Sequence, residues 1–122
     1  MLDVEVLYLK RDGNSTNIVK VQKELIVNDS IYNIINIECL KLLTTIEGRV
    51  EAIKQVYKIF KFVPIYINEG LILQPIYNSK AWNQIYINIC NIKKVNEVND
   101  RLVITFINEK TIYLDISLDR MK

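Results

Sequence analysis

The sequence predicts an α+β fold: an N-terminal β-hairpin, one or two central helices, then a mainly antiparallel sheet or meander of about five strands. Three observations carry this. Apolar residues alternate in short runs towards both ends of the chain. They recur at helical spacing only in the centre. Gly, Asn and Asp punctuate the runs, with no linker, repeat or low-complexity segment between them. At 122 residues the chain reads as one domain, 1–122, large enough for a core without staples.

Val4, Val6 and Tyr8 alternate with Glu5, Leu7 and Leu9, a first strand, and Arg11-Asp12-Gly13-Asn14 supplies turn chemistry. A second strand over Asn17 to Val27 completes the hairpin. Asn28, Asp29 and Ser30 are N-cap residues whose oxygens accept the orphan amides of a first helical turn. Ile31, Ile34, Ile35, Cys39 and Leu42 then predict a helix over 30–43. Thr44 to Glu47 has the S/T-x-x-E capping-box form, and Ile46, Val50, Ile53 and Tyr57 predict a second helix over 45–56. Gly48 inside that helix costs about 1 kcal/mol against Ala and calls for a close approach by neighbouring chain.

From Lys58 the pattern turns to strands. Ile59, Lys61, Val63 and Ile65 interleave with Phe60, Phe62, Pro64 and Tyr66, and Pro64, lacking an amide, points to an edge or a bulge. Glu69-Gly70 turns into Leu71–Ile76, and a loop from Asn78 ends near Trp82, which reads as an aromatic cap on the core. The strand Ile85–Cys90 follows. Ile92–Val98, Leu102–Ile107 and Ile112–Ile116 form a meander turning at Asn99-Asp100 and Asn108-Glu109-Lys110.

Composition excludes more than it assigns. The first residues have neither a basic n-region nor an apolar h-region, and the uncharged run Leu71 to Ser79 is too short to cross a bilayer. The expectation is a cytoplasmic protein without a membrane. Cys39 and Cys90, with no His in the chain, cannot build a zinc site; both read as small buried apolar side chains. No Gly-rich phosphate loop and no G-x-S-x-G elbow are present, and a Cys nucleophile lacks an imidazole base. Asp115 and Asp119 read as solvent-facing charges. No catalytic residue, cofactor or metal is expected.

Net charge is +2, unevenly spread. Residues 1–39 carry four bases against six acids, residues 40–94 eight against three, and residues 95–122 four against five. A basic centre between mildly acidic ends becomes an electrostatic footprint for phosphate only if folding gathers it on one face; charge alone favours scattered, solvated lysines.

The most informative stretch runs Cys39-Leu40-Lys41-Leu42-Leu43-Thr44-Thr45-Ile46-Glu47-Gly48-Arg49, continues through Val56, Lys58 and Ile59, and closes on Pro64-Ile65. Beyond it come Leu71-Ile72-Leu73-Gln74-Pro75, then Ile85-Tyr86-Ile87-Asn88, then Val103-Ile104-Thr105-Phe106-Ile107-Asn108 and Leu114-Asp115-Ile116-Ser117. In order and spacing these resemble the ComK family of competence transcription factors, over roughly residues 36–117. Single motifs in the set are unspecific; their joint spacing is not. The chain departs from the family at Ile46 (an aromatic there), Val50 (a basic residue) and Ala52 (a glycine), and in Phe60-Lys61-Phe62-Val63-Pro64, which lacks a histidine and one proline. The family's helix-rich tail also has no counterpart before Lys122, so the resemblance is to a short, divergent member.

The resemblance implies a DNA-binding transcriptional activator that recognises paired A-tracts and T-tracts as a multimer. A-tract minor grooves are narrow and strongly negative, which favours inserted Arg or Lys. Arg49, at the Gly-Arg position beside Thr44 and Thr45 on a helix start, is the first candidate for such a contact, with pairing to a surface carboxylate as the alternative. Lys54, Lys58 and Lys61 would extend it along the backbone, and Lys80, Lys93, Lys94 and Trp82, the last by stacking on a base in place of capping the core, are further candidates. The expected partners are AT-rich duplex DNA, further copies of the chain, and a protein of the competence or protease-adaptor system. Two competing readings stand beside this one: an interaction module that associates with a full-length regulator or its adaptor without binding DNA, and a repressor lacking the activation tail.

Overall fold

The computed structural model describes residues 1–116. Asp119 and Ser117, named above, lie outside them. Nine strands, two α-helices and one 3₁₀ turn are present among the described residues, in the α+β arrangement that the sequence predicts. The chain divides into two compact units, Met1–Cys90 and Asn91 onward.

The first unit is a six-stranded antiparallel sheet with both helices on one face. Strand β1, Val6–Asp12, pairs with β2, Ser15–Lys20, through the two-residue turn Gly13-Asn14. Gly13 takes φ +61° at the first loop position, where tight hairpins favour glycine. The predicted strand Asn17–Val27 is two strands, because the chain reverses at Val21–Lys23 and returns as β3, Glu24–Val27. Two backbone bonds hold that reversal: Lys20 N–H to the Lys23 carbonyl at 2.8 Å and Val21 N–H to the Glu5 carbonyl at 3.0 Å.

Helix α1, Ile31–Lys41, is capped by Ser30, whose hydroxyl accepts the Asn33 amide at 3.1 Å. Helix α2, Ile46–Tyr57, is capped by Thr45 rather than Thr44, its hydroxyl accepting the Gly48 amide at 3.0 Å. Thr44 is unavailable to the capping box because its own amide bonds the Cys39 carbonyl and closes α1. Strands β4, Ile65–Asn68, β5, Leu71–Pro75, and β6, Ile85–Asn88, follow, and the sheet order is β3-β2-β1-β6-β5-β4. Pro64 thus sits just before an edge strand, as its missing amide requires.

Val6, Leu9 and Ile18 from the hairpin and Ile65, Ile67, Leu71 and Leu73 from β4 and β5 form one core with Ile31, Ile34, Ile35, Cys39 and Ile46 of the helices. Gly70 lies at a tight approach: a Cβ there would come 2.5 Å from Val4 Cγ1. Asn88 is buried with its amide fully used. Its Nδ2 donates to the Val6 and Gly70 carbonyls at 2.9 and 3.0 Å, and its Oδ1 accepts the Ile72 and Cys90 amides at 3.1 and 3.2 Å. A side chain so placed joins β1, β5 and β6 as a strand-to-strand bond would. Burial pushes the Cys39 thiol up, partly offset by Arg49, so it is an inert core residue. Cys90, expected buried, is exposed.

The second unit is an antiparallel meander of β7, Ile92–Val98, β8, Arg101–Phe106, and β9, Thr111–Leu114. Its first turn places Asn99 and Asp100 at φ +52° and +63°, the double positive φ that Asn and Asp tolerate best among non-glycine residues. Leu102, Ile104, Phe106, Leu114 and Ile116 are buried. Among the described residues no helix is long and apolar enough to cross a membrane.

Candidate nucleic-acid interface

Arg49 lies in the first turn of α2, and its Nη1 donates to the Tyr66 carbonyl of edge strand β4 at 3.0 Å. No acid pairs with it among the described residues, so the carboxylate alternative does not hold. The amides that a phosphate would need at this helix start are already engaged, Ile46 N–H by Asn36 Oδ1 at 3.0 Å and Gly48 N–H by Thr45. Glu47 also places a carboxylate there. It accepts from Tyr32, and that hydrogen bond, then its own backbone amide, hold its pKa below the ordinary value. The close approach expected at Gly48 comes from hydroxyls: a Cβ would sit 2.9 Å from Thr44 Oγ1 and 3.4 Å from Thr45 Oγ1.

Helical spacing separates Arg49 from Lys54 by about 140° around α2. The two flank the apolar stripe of Ile46, Val50 and Ile53 on opposite sides and do not share a face. Lys58 is the C-cap, at φ +57°, with its amide on the Lys54 carbonyl at 3.1 Å. It lies about 14 Å along the helix axis from Arg49.

The segment after Lys58, predicted as a strand, is instead an irregular loop that ends at β4. Lys58 at φ +57° and Phe62 at φ +49° are both left-handed, which breaks an extended run. The Phe62 carbonyl is held by Gln74 Nε2 at 2.8 Å. Between these two fixed points the chain exposes Ile59, Phe60 and Lys61, and Phe60 is 69% exposed.

The loop joining β5 to β6 is braced from two sides. Arg11 Nη1 donates to the Lys80 and Ala81 carbonyls at 3.3 and 3.1 Å. The buried Gln84 accepts the Tyr77 and Ile85 amides and returns a bond to the Tyr77 carbonyl, all within 2.9 Å. Trp82, expected to cap the core, projects from this loop 81% exposed. The two loops meet: Phe60, Lys61 and Phe62 on one side and Tyr77, Asn78 and Ser79 on the other line one groove of about 290 Å³.

Lys58, Lys61 and Lys80 are exposed, and none of their ammonium groups meets an acid among the described residues. In the second unit Lys93 pairs with Glu109, whose pKa that bond lowers, while Lys94 is exposed on the same strand. Sequence reading gave Phe60 to a strand and Trp82 to a cap on the core, and both are exposed in loops instead. The usable signal was composition: from Ala52 to Asn68 there are three lysines, four aromatics and no acid.

Searches of curated proteins and of solved structures return no match. The family model described as ComK protein matches residues 4–122, essentially the whole chain. With nearly its full length matched, the chain belongs to the ComK family of competence transcription factors.

Proposed function

We propose that this protein is a DNA-binding transcriptional regulator of the cytoplasm that engages AT-rich duplex as a multimer. Its contact surface is the two-loop groove of the first unit, which Lys61 lines, with Lys58 and Lys80 adjoining its two walls along the chain. One observation carries this reading: Lys61 and the exposed Phe60 line the groove, Lys58 stands two residues before Phe60, Lys80 and the exposed Trp82 belong to the loop that forms the facing wall, and none of the three lysines meets an acid among the described residues, a combination that suits the phosphates and the groove of a duplex together. Arg49, held by one nitrogen to Tyr66, keeps the rest of its guanidinium fork for a phosphate or a narrow minor groove, and Lys54 adds charge on the other flank of α2. Thr44 and Thr45 support Arg49 by fixing the start of its helix. Lys94 offers a separate phosphate contact on the second unit, and Lys93 one only after parting from Glu109.

Trp82 is the single tryptophan of the chain, so its emission reports the loop between β5 and β6 that forms one wall of the groove. Titration with an A-tract duplex is expected to quench it, in step with a rise in fluorescence anisotropy of labelled DNA, and both responses weaken as salt is raised. Equal binding to a G·C-rich duplex, or binding indifferent to salt, would remove the reading.

A further inference from the structure

Phe60 is misplaced for a residue whose task is folding. A phenylalanine side chain is among the largest apolar groups available to a core, yet this one stands 69% exposed while the chain on either side is pinned. Lys58 ends α2 in a left-handed turn, and the Phe62 carbonyl is fixed by Gln74, so the tip between them is held out by bonded neighbours. Lysines stand two residues before Phe60 and directly after it, and no acid occurs from Ala52 to Asn68. An apolar ring raised on a braced tip, with cations on both sides, has the form of the wedges by which minor-groove proteins part a base step: the lysines hold the backbones and the ring enters the stack.

We propose that Phe60 is such a wedge, inserting between two base pairs at a deformable step bordering the A-tract. This deepens the DNA-binding reading and rests on it. The consequence is a sequence preference that hydrogen bonding to bases does not supply. A-tracts resist unstacking, whereas pyrimidine–purine steps open easily. A site with a TpA step beside its A-tract is therefore preferred to one of the same composition with ApT there.

The test uses the full chain and two duplexes differing only in that step, each with 2-aminopurine beside it. Wild-type protein is expected to raise 2-aminopurine emission on the TpA duplex and not on the ApT duplex, and to bind the former more tightly. Phe60→Ala is expected to abolish the rise, remove the TpA preference and weaken binding about tenfold, with an unchanged salt slope and with Trp82 quenching retained at saturation. Phe60→Leu should restore part of the rise, since the wedge needs apolar bulk. If Phe60→Ala keeps both the rise and the preference, the wedge is wrong while DNA binding stands. If the wild type shows no salt-dependent binding to either duplex, the underlying reading fails and the wedge with it. Binding to phosphatidylglycerol vesicles but to neither duplex would reassign the tip to a lipid surface and overturn both.

Discussion

Lys20 shows how much one charged pair can decide in a small sheet. Its side chain is only 5% exposed, yet its ammonium ends on Asp3 Oδ2 at 3.0 Å. Burial pushes the Asp3 carboxyl up, but the Lys20 hydrogen bond and the Glu5 amide outweigh it and hold its pKa below the ordinary 3.8. The sign follows from linkage. A carboxyl more acidic in the folded than in the unfolded chain stabilises the fold fully above its unfolded value, and that stability is lost as the pH falls through the lowered native one. Asp3→Asn leaves a buried cation with a weaker partner. Because Asp3 is itself about half exposed and screened, the expected cost is modest, about 1–2 kcal/mol at neutral pH. Urea titrations of both proteins at neutral pH and again well below 3.8 check it, and the gap between them should close in acid. A gap of the same size at both would mean that packing, not charge, holds Lys20.

The end of α1 is a Schellman motif built without glycine. Thr44 N–H reaches the Cys39 carbonyl at 3.1 Å and Leu43 N–H the Leu40 carbonyl at 3.0 Å, with Leu43 in the left-handed region at φ +61°. Leu43 is also 96% exposed, so its side chain returns no burial for the backbone it strains. Leu43→Gly relieves about 1–2 kcal/mol of left-handed strain and adds back part of that as entropy of the unfolded chain. A net gain of about 0.5–1 kcal/mol in chemical denaturation is expected, and a loss would show that Leu43 packs against something. Both helices were legible from periodicity, and Ser30 from its side-chain chemistry. The cap of α2 was legible only to within one residue, because two adjacent threonines offer the same hydroxyl. What separates them is which amide is already spent closing α1. Segment 58–64 was misread for a related reason. Alternation in a run of Ile, Phe and Val cannot tell a strand from a loop when positive φ falls on Lys and Phe, residues that give no warning of it.

At the scale of the molecule, local pattern could not reveal that β1 pairs with β6, with Lys10 opposite Ile85, and that pairing decides which residues meet. Antiparallel order in β6-β5-β4 brings the start of β4, the end of β5 and the start of β6 to one end of the sheet, and the end of β1 delivers Arg11 to brace them. Helix α2 ends at Tyr57, and its C-cap Lys58 opens the loop that carries Phe60 and Lys61 to the groove. The cationic centre that charge counting found between residues 40 and 94 thus does not lie along one face of α2: Lys61 lines the groove, Lys58 and Lys80 adjoin its walls in sequence, and Arg49 stands about 14 Å back along the helix from Lys58. Salt dependence can tell these layouts apart, since each phosphate contact adds about 0.9 to the slope of log K against log salt. Replacing Lys58, Lys61 and Lys80 together with Ala is expected to flatten the slope on an A-tract duplex by about 2–3, and Arg49→Ala by about 1. Lys93→Ala, which removes an ammonium already paired with Glu109, should leave it unmoved. The four lysines are exposed and Arg49 makes one bond, to the Tyr66 carbonyl, so thermal unfolding should alter little in all three variants and serves as the control for folding. If the triple variant keeps the wild-type slope while Lys93→Ala flattens it, the phosphates are held by the second unit and the groove has no part in binding.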